Sequence, residues 1–292
     1  QALADAVNAV LQGAAGNTGP SLDELTLLGI TGIDASNMPA VLRAIANTNA
    51  NGSDVDTLTE LQSVVSTGQA AAQAVVDVIQ AYALANTSPQ PTAPTGIAPT
   101  VNDYANAGIA NVTVDNLAAV NAQVFAQNAG GADSVGEIQA LVTAANNALA
   151  KIEAYNNGDG TTPVALTVAD YQAAGITGVS SDNLAAVNAK VLAQSAGGAD
   201  AVSEIQNLVN AANAALAKIE AYNNGDGVTP QALSLTDYQA AGITGVTAEN
   251  LVAVNAQVLA QNPGGADTVG EVQALVTAAI HAVAKIEAYN NG

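Results

Sequence analysis

The eight residues Lys218-Ile-Glu-Ala-Tyr-Asn-Asn-Gly225 occur also at Lys151–Gly158 and at Lys285–Gly292. The intervals from 151 to 218 and from 218 to 285 are both 67 positions. A recurrence held in phase over that distance implies one supersecondary unit copied in tandem, because each copy must place the same residues at the same packing positions. Length alone would suit two domains of ordinary size. The recurrence instead predicts about four units.

Within the type unit, 165–225, apolar residues follow helical spacing. Thr167 with Asp170 three positions on has the form of a capping box. Val168, Tyr171 and Ala174 then share one face of a short helix that stops at Gly175. Ser181 or Asp182 is expected to cap a second helix carrying Leu184, Val187 and Val191. Asp200 is expected to cap a third, with Glu204 in its first turn complementing the helix dipole. Its apolar face, Ile205, Leu208, Val209, Ala212, Leu216, Ile219 and Tyr222, predicts an amphipathic helix of about six turns. Asn223, Asn224 and Gly225 supply a left-handed C-cap, and Pro230 delays any restart. No segment alternates with period two, so strands are not expected. The prediction is an all-α chain, a tandem array of three-helix bundles.

The same pattern parses the chain. Residues 1–16 match the run from Gln139 to Leu149, as the end of the last helix of a preceding repeat. A divergent repeat occupies 21–86; its last helix should be longer, since Glu60 to Tyr82 spans four positions more than Glu137 to Tyr155. The proline-rich stretch 87–99 reads as a semi-rigid linker. Three regular repeats occupy 100–158, 165–225 and 232–292.

Composition narrows function. Acidic residues number 25 and basic ones 5, for a net charge of −20. Arg43, Lys151, Lys190, Lys218 and Lys285 are too few and scattered for a phosphate-neutralising stripe, which argues against nucleic acid or an anionic membrane surface as partner. With no cysteine and one histidine, His281, disulfides, thiolate sites, histidine triads and multi-histidine metal sites are excluded within one chain. The apolar run from Ala274 to Val283 is too short to span a bilayer, so no membrane insertion is expected. Asp200/Glu204 and Asp267/Glu271 are explained by helix capping.

Other candidate sites are weak. Tyr104, Tyr171 and Tyr238, with Tyr155, Tyr222 and Tyr289, are expected to be core aromatics whose hydroxyls reach the surface. The turns Asn156–Gly160 and Asn223–Gly227 superficially follow a calcium loop. They make Asn157, Asp159, Asn224 and Asp226 the calcium candidates, although no glutamate stands where such a loop ends. No catalytic or cofactor-binding residues are assigned, and the chain is not expected to be an enzyme.

Gly175-Ile-Thr-Gly-Val179, followed by Asn183-Leu184 and by Val202, Ile205, Leu208 and Val209, resembles the GA-type three-helix module of bacterial surface proteins. With Tyr171 closing Leu166-Thr-Val-Ala-Asp-Tyr171 and the run Asn183-Leu-Ala-Ala-Val-Asn188, the tandem form is similar to the repeats of giant bacterial surface and biofilm adhesins. The resemblance implies an exported, extracellular chain at the cell surface with a role in spanning or attachment. Some such modules bind serum albumin through the second helix. The corresponding Ala185, Ala186, Asn188, Ala189 and Lys190 depart from the tyrosine- and lysine-bearing pattern of those members. The expectation is an adhesin stalk that projects a distal binding domain, its partners being the neighbouring repeats of the same chain. The alternatives are a repeat binding module contacting a host protein or surface, and a self-assembling surface filament or layer subunit.

Overall fold

The computed structural model describes residues 1–35, 37–84, 97–127, 130–157, 164–225 and 231–291. These residues form α-helices and no strand. The chain divides into two compact units, Gln1–Asn146 and Asn147–Gly292.

In the first unit, α1 (Ala2–Ala14) packs on α2 (Leu22–Leu27) and α3 (Met38–Ala46), and α3 packs along α4 (Leu58–Leu84). Their shared core joins Ala6, Val10 and Ala14 of α1 to Leu25, Val41, Ile45, Leu61 and Val65. The second half of α4 then packs on α5 (Val101–Asn106) and α6 (Leu117–Phe125). The first half of α7 (Val135–Asn157) closes this second cluster, burying Ile138 and Val142.

In the second unit, the remainder of α7 lies with α8 (Val168–Ala173) and α9 (Leu184–Leu192), and α9 packs on the first half of α10 (Val202–Asn224). The second half of α10 packs on α11 (Leu235–Ala240) and α12 (Leu251–Leu259), and α12 packs along α13 (Val269–Asn291). A long helix therefore contributes its first half to one cluster and its second half to the next. Leu61 and Val65 against Val76 and Ile79 in α4, and Ile205 and Val209 against Leu216 and Ile219 in α10, are the two buried halves. The apolar face of α10 runs along a helix of 23 residues. That face, about 35 Å long, is too long for one short helix pair to cover.

Local sequence accounts for the boundaries. Ser21, Thr100, Thr167 and Ser234 each start a short helix with a complete capping box, closed by Glu24, Asp103, Asp170 and Asp237. The medium helix starts slightly later than expected: its N-cap is Asn183, whose Oδ1 accepts from Ser180 N at 2.8 Å. The third helix likewise takes Ala201 rather than Asp200 as N-cap, with Glu204 accepting from the Ala201 N–H at 3.3 Å. Gly225 ends α10 in the left-handed conformation at φ 58°, the backbone state a glycine enters most cheaply. The extra turn expected in the divergent repeat is present, α4 having 27 residues against 23 for α7, α10 and α13.

Two features are not foreseen by residue spacing. Leu11 is 37% exposed although its sequence counterpart Leu149 is only 7% exposed. In α1 the buried set is Ala6, Val10, Gly13 and Ala14, because Gly13 approaches Gly19 and Pro20 so closely that a Cβ would lie 3.0 Å from Gly19 Cα. The second feature concerns α13. Val269–Asn290 is long and apolar enough to cross a membrane by length and composition, although the run from Ala274 to Val283 alone is not. That stretch carries Glu271, Lys285 and Glu287, and Val272, Val276 and Ala279 on its first half are buried in the bundle. Most of the 87–99 stretch lies outside the described residues.

Candidate functional site

Among the described residues, the polar groups that converge sit within the helix clusters and where one cluster meets the next. The same buried lock occurs three times among the described residues. Tyr171 is fully buried, and its hydroxyl donates to Asn188 Oδ1 at 2.7 Å, while Asn188 Nδ2 donates to the Leu166 carbonyl at 2.9 Å. Tyr104, Asn121 and Pro99 repeat this arrangement, as do Tyr238, Asn255 and Leu233. The expected surface-seeking hydroxyls are thus corrected. A phenol at this depth needs a partner, and an asparagine one helix away supplies it and is itself satisfied by a backbone carbonyl. Burial pushes all three phenols well above the ordinary tyrosine range. The divergent repeat has Leu25 and Leu42 at the two positions, replacing both polar partners together, so neither is left unpaired.

A second network ties the turn after the short helix to the long helix. Gln206 Oε1 accepts from Thr177 N at 3.0 Å, and Gln206 Nε2 returns to the Thr177 carbonyl at 3.0 Å. Asn183 Nδ2 and Asn213 Nδ2 both donate to the Gly178 carbonyl. Gly178 has a positive φ, as does Asn111, which replaces it in the preceding repeat. Asparagine is among the few other residues that enter the left-handed region readily.

Three contacts make the junction of α10 with α11–α12, and the first two of them recur at α7 with α8–α9. Lys151 pairs with Asp170 at 2.6 Å, and Lys218 with Asp237 at 2.6 Å, tying the long helix to the first turn of the next short helix. The Lys218 hydrogen bond, with those of Ser234, pulls the Asp237 carboxyl down to about 2. Partial burial pushes Asp170 up, but Lys151 and Thr167 more than offset it and its net shift is downward.

Asn156 Nδ2 then donates to the Val191 and Gln194 carbonyls, both at 3.0 Å, and Asn223 Nδ2 to those of Val258 and Gln261 at 3.0 and 3.1 Å. Each amide thereby caps the exposed carbonyls at the C-terminal end of the next repeat's medium helix. Their Oδ1 atoms are buried without a partner. Each such atom costs about 1–3 kcal/mol, which the two donated bonds offset. In the first unit Ala83 takes the asparagine position, and Tyr82 meets Phe125 at a ring-centroid distance of 5.5 Å. Phe125 replaces the half-exposed Leu192 and Leu259 of the other repeats, so an aromatic contact substitutes for the amide cap.

The third contact uses glycine. Gly242, at φ +72°, lies so near the preceding medium helix that a Cβ would fall 2.7 Å from Ala186 Cα. Gly108, at φ +80°, stands likewise over α3, where a Cβ would fall 3.0 Å from Ala40 N. Nearby, Val269 N donates to the Asp182 carbonyl at 3.0 Å.

The sequence-derived sites do not gather. Asn157 ends α7 and is exposed; Asn224 Oδ1 accepts from Gly264 N at 3.3 Å; Asp159 and Asp226 lie outside the described residues. Among the described residues no group of three or more His, Asp or Glu side chains could hold a metal ion. His281 is exposed. At the long-helix starts, a hydrogen bond between each carboxyl pair holds Asp133 and Asp267 above the usual range and Glu137 and Glu271 below it. The cause is the mutual contact and the capping serines and threonines rather than a buried pocket. The junction asparagines are hidden in the sequence because Asn-Asn-Gly reads as a helix stop. The available signal is that Asn223 continues the Leu216, Ile219, Tyr222 face. No family model matches the chain, and neither a curated protein nor a solved structure matches it significantly.

Proposed function

We propose that this chain is a stretch of a tandem array of three-helix repeats, and that its work is geometric. It serves as the stalk of a large bacterial surface adhesin and carries a distal binding domain away from the cell. The observation that supports this best is the division of α4 and α10 between successive helix clusters, each half of the helix being buried in a different cluster. Repeats joined through a shared helix resist bending more than repeats joined by a flexible tether, because bending at α10 must break the salt bridge, the amide cap and the glycine contact together, and at α4 the aromatic and glycine contacts. The net charge of −20 disfavours lateral collapse of chains on one another, and the lack of cysteine suits passage across a membrane as an unfolded polypeptide. The neighbouring repeats are the partners this reading requires.

Small-angle scattering of the intact chain, with and without millimolar calcium, tests the proposal. A compact chain of this length has a radius of gyration of about 19 Å. The stalk predicts a value well above that, unchanged by calcium. The compact value in both conditions would end the spacer reading. A further elongation on adding calcium would return Asn157, Asp159, Asn224 and Asp226 to candidacy as ligands.

A further inference from the structure

The octapeptide Lys-Ile-Glu-Ala-Tyr-Asn-Asn-Gly meets two different surroundings. In α7 and α10 its isoleucines, Ile152 and Ile219, are fully buried and its tyrosines, Tyr155 and Tyr222, are 9% and 8% exposed. In α13 the same residues are open: Ile286 is 62% and Tyr289 88% exposed. Composition cannot account for the difference, since the sequence is identical. What differs is the short and medium helix pair lying on α7 and α10. The neighbouring face of α12 is less covered as well, Ala253 being only half-buried. In α9, Ala186, the counterpart of Ala253, is fully buried beneath the Gly242 turn.

We infer that Val283, Ile286 and Tyr289 of α13, together with Ala253 of α12, form a docking face. Its occupant is the short and medium helix pair of a further repeat of this type. The inference rests on the repeat reading above and extends the interfaces formed at α7 and α10. Lys285 stands where Lys151 and Lys218 reach the first-turn aspartate of the next short helix, and Asn290 where Asn156 and Asn223 cap the next medium helix. The incoming helix pair must therefore offer an aspartate at N3 of its first helix, open carbonyls at the end of its second, and a glycine turn between them. A second copy of this chain offers no free pair at its first repeat, because α1 already covers α2 and α3 there. A lipid surface would have to accept Lys285 and Glu287 and draw the buried Val272 and Val276 out of the bundle.

The test compares the intact chain with the same chain extended after Gly292 by a second copy of residues 226–292. Hydrogen exchange is followed over positions 281–290. Docking predicts that these amides exchange quickly in the parent and roughly a hundredfold or more slowly in the extended chain. Tyr289→Asp in the extended chain should remove that gain while leaving protection in α8, α9 and the first half of α10 unchanged. If the added segment becomes helical but 281–290 exchange as in the parent, the docking face is refuted and the repeat reading survives. If the added segment stays unfolded, both fall. Protection of 281–290 in the parent as its concentration rises would make a second copy the occupant and overturn the assignment. Protection on adding phosphatidylglycerol-containing vesicles would make the occupant lipid and overturn it equally.

Discussion

The division of a long helix between two clusters is tested most sharply by truncating Tyr222. Tyr222 lies on α10 but past Ala212, on the half of the helix that faces α11 and α12. It is 8% exposed. A tyrosine side chain hides about 200 Å² of surface, worth about 5 kcal/mol as an upper bound at about 25 cal/mol per Å². Allowing for a partly collapsed unfolded chain and some relaxation of the hole leaves about 3–4 kcal/mol for Tyr222→Ala. That loss should raise the opening equilibrium of the affected cluster by about two orders of magnitude or more.

The assay is native-state hydrogen exchange resolved by peptide. Protection should fall in α11, α12 and the first half of α13, and hold in α8 and α9. Ile205→Ala, on the other half of the same helix, should show the converse pattern. Tyr289→Ala supplies the control, since the same residue in the same octapeptide is there 88% exposed. Its truncation should change stability by less than about 0.5 kcal/mol. Loss of protection in α8 and α9 on truncating Tyr222, with α11 and α12 spared, would refute the shared-helix packing.

The remaining predictions concern single contacts. Tyr171→Leu or Asn188→Leu alone strands a buried polar partner and should cost about 2–4 kcal/mol, whereas the double substitution, which reproduces Leu25 with Leu42, should cost clearly less than the sum; strict additivity in a denaturation cycle would exclude the lock. Gly242→Ala combines a left-handed backbone with a Cβ 2.7 Å from Ala186 Cα. It should destabilise by about 2–4 kcal/mol. Gly29→Ala, at φ +81° but in open space, is the comparison. It should cost only about 1 kcal/mol, and equal losses in thermal melts would sink the close-approach argument. Asp237 is held below its ordinary value, down to about 2, so its ion pair stabilises above about pH 4 and that contribution disappears as pH falls toward about 2. Screening at the exposed Lys218 limits it to about 1 kcal/mol; Lys218→Met should flatten the acid limb of the stability curve by that amount, and an unchanged limb would show the pair to be inert.

Much of the fold can be read from residue spacing. The Thr167 cap with Asp170, the left-handed glycine at 225 and the face from Ile205 to Tyr222 all follow local rules and are found as expected, except that Leu208 is only half-buried. Asp200 and Ser181 miss the caps by one or two residues because Ala201 and Asn183 take the capping backbone position instead. The destination of an apolar face is a different matter. Spacing identifies Leu216, Ile219 and Tyr222 as buried without saying which helices bury them. The position of Asn223 beside Tyr222 becomes intelligible only once the carbonyls at the end of α12 are placed against it. The Tyr171 hydroxyl escapes the sequence for the same reason, since its partner stands 17 positions away on another helix.

The unit of sequence and the unit of packing are out of step by half a helix. A boundary drawn at the octapeptide separates Tyr222 from the residues that cover it, while a boundary drawn at Ala212 cuts a helix in two. Over residues 100–292, where the 67-position recurrence holds, insertion or loss of one whole period would present each half-helix with a similar neighbour. On that reading, a chain lengthened or shortened by one period would meet no junction chemistry that it does not already contain. A gain or loss of any other length leaves a tyrosine and an asparagine facing the wrong turn.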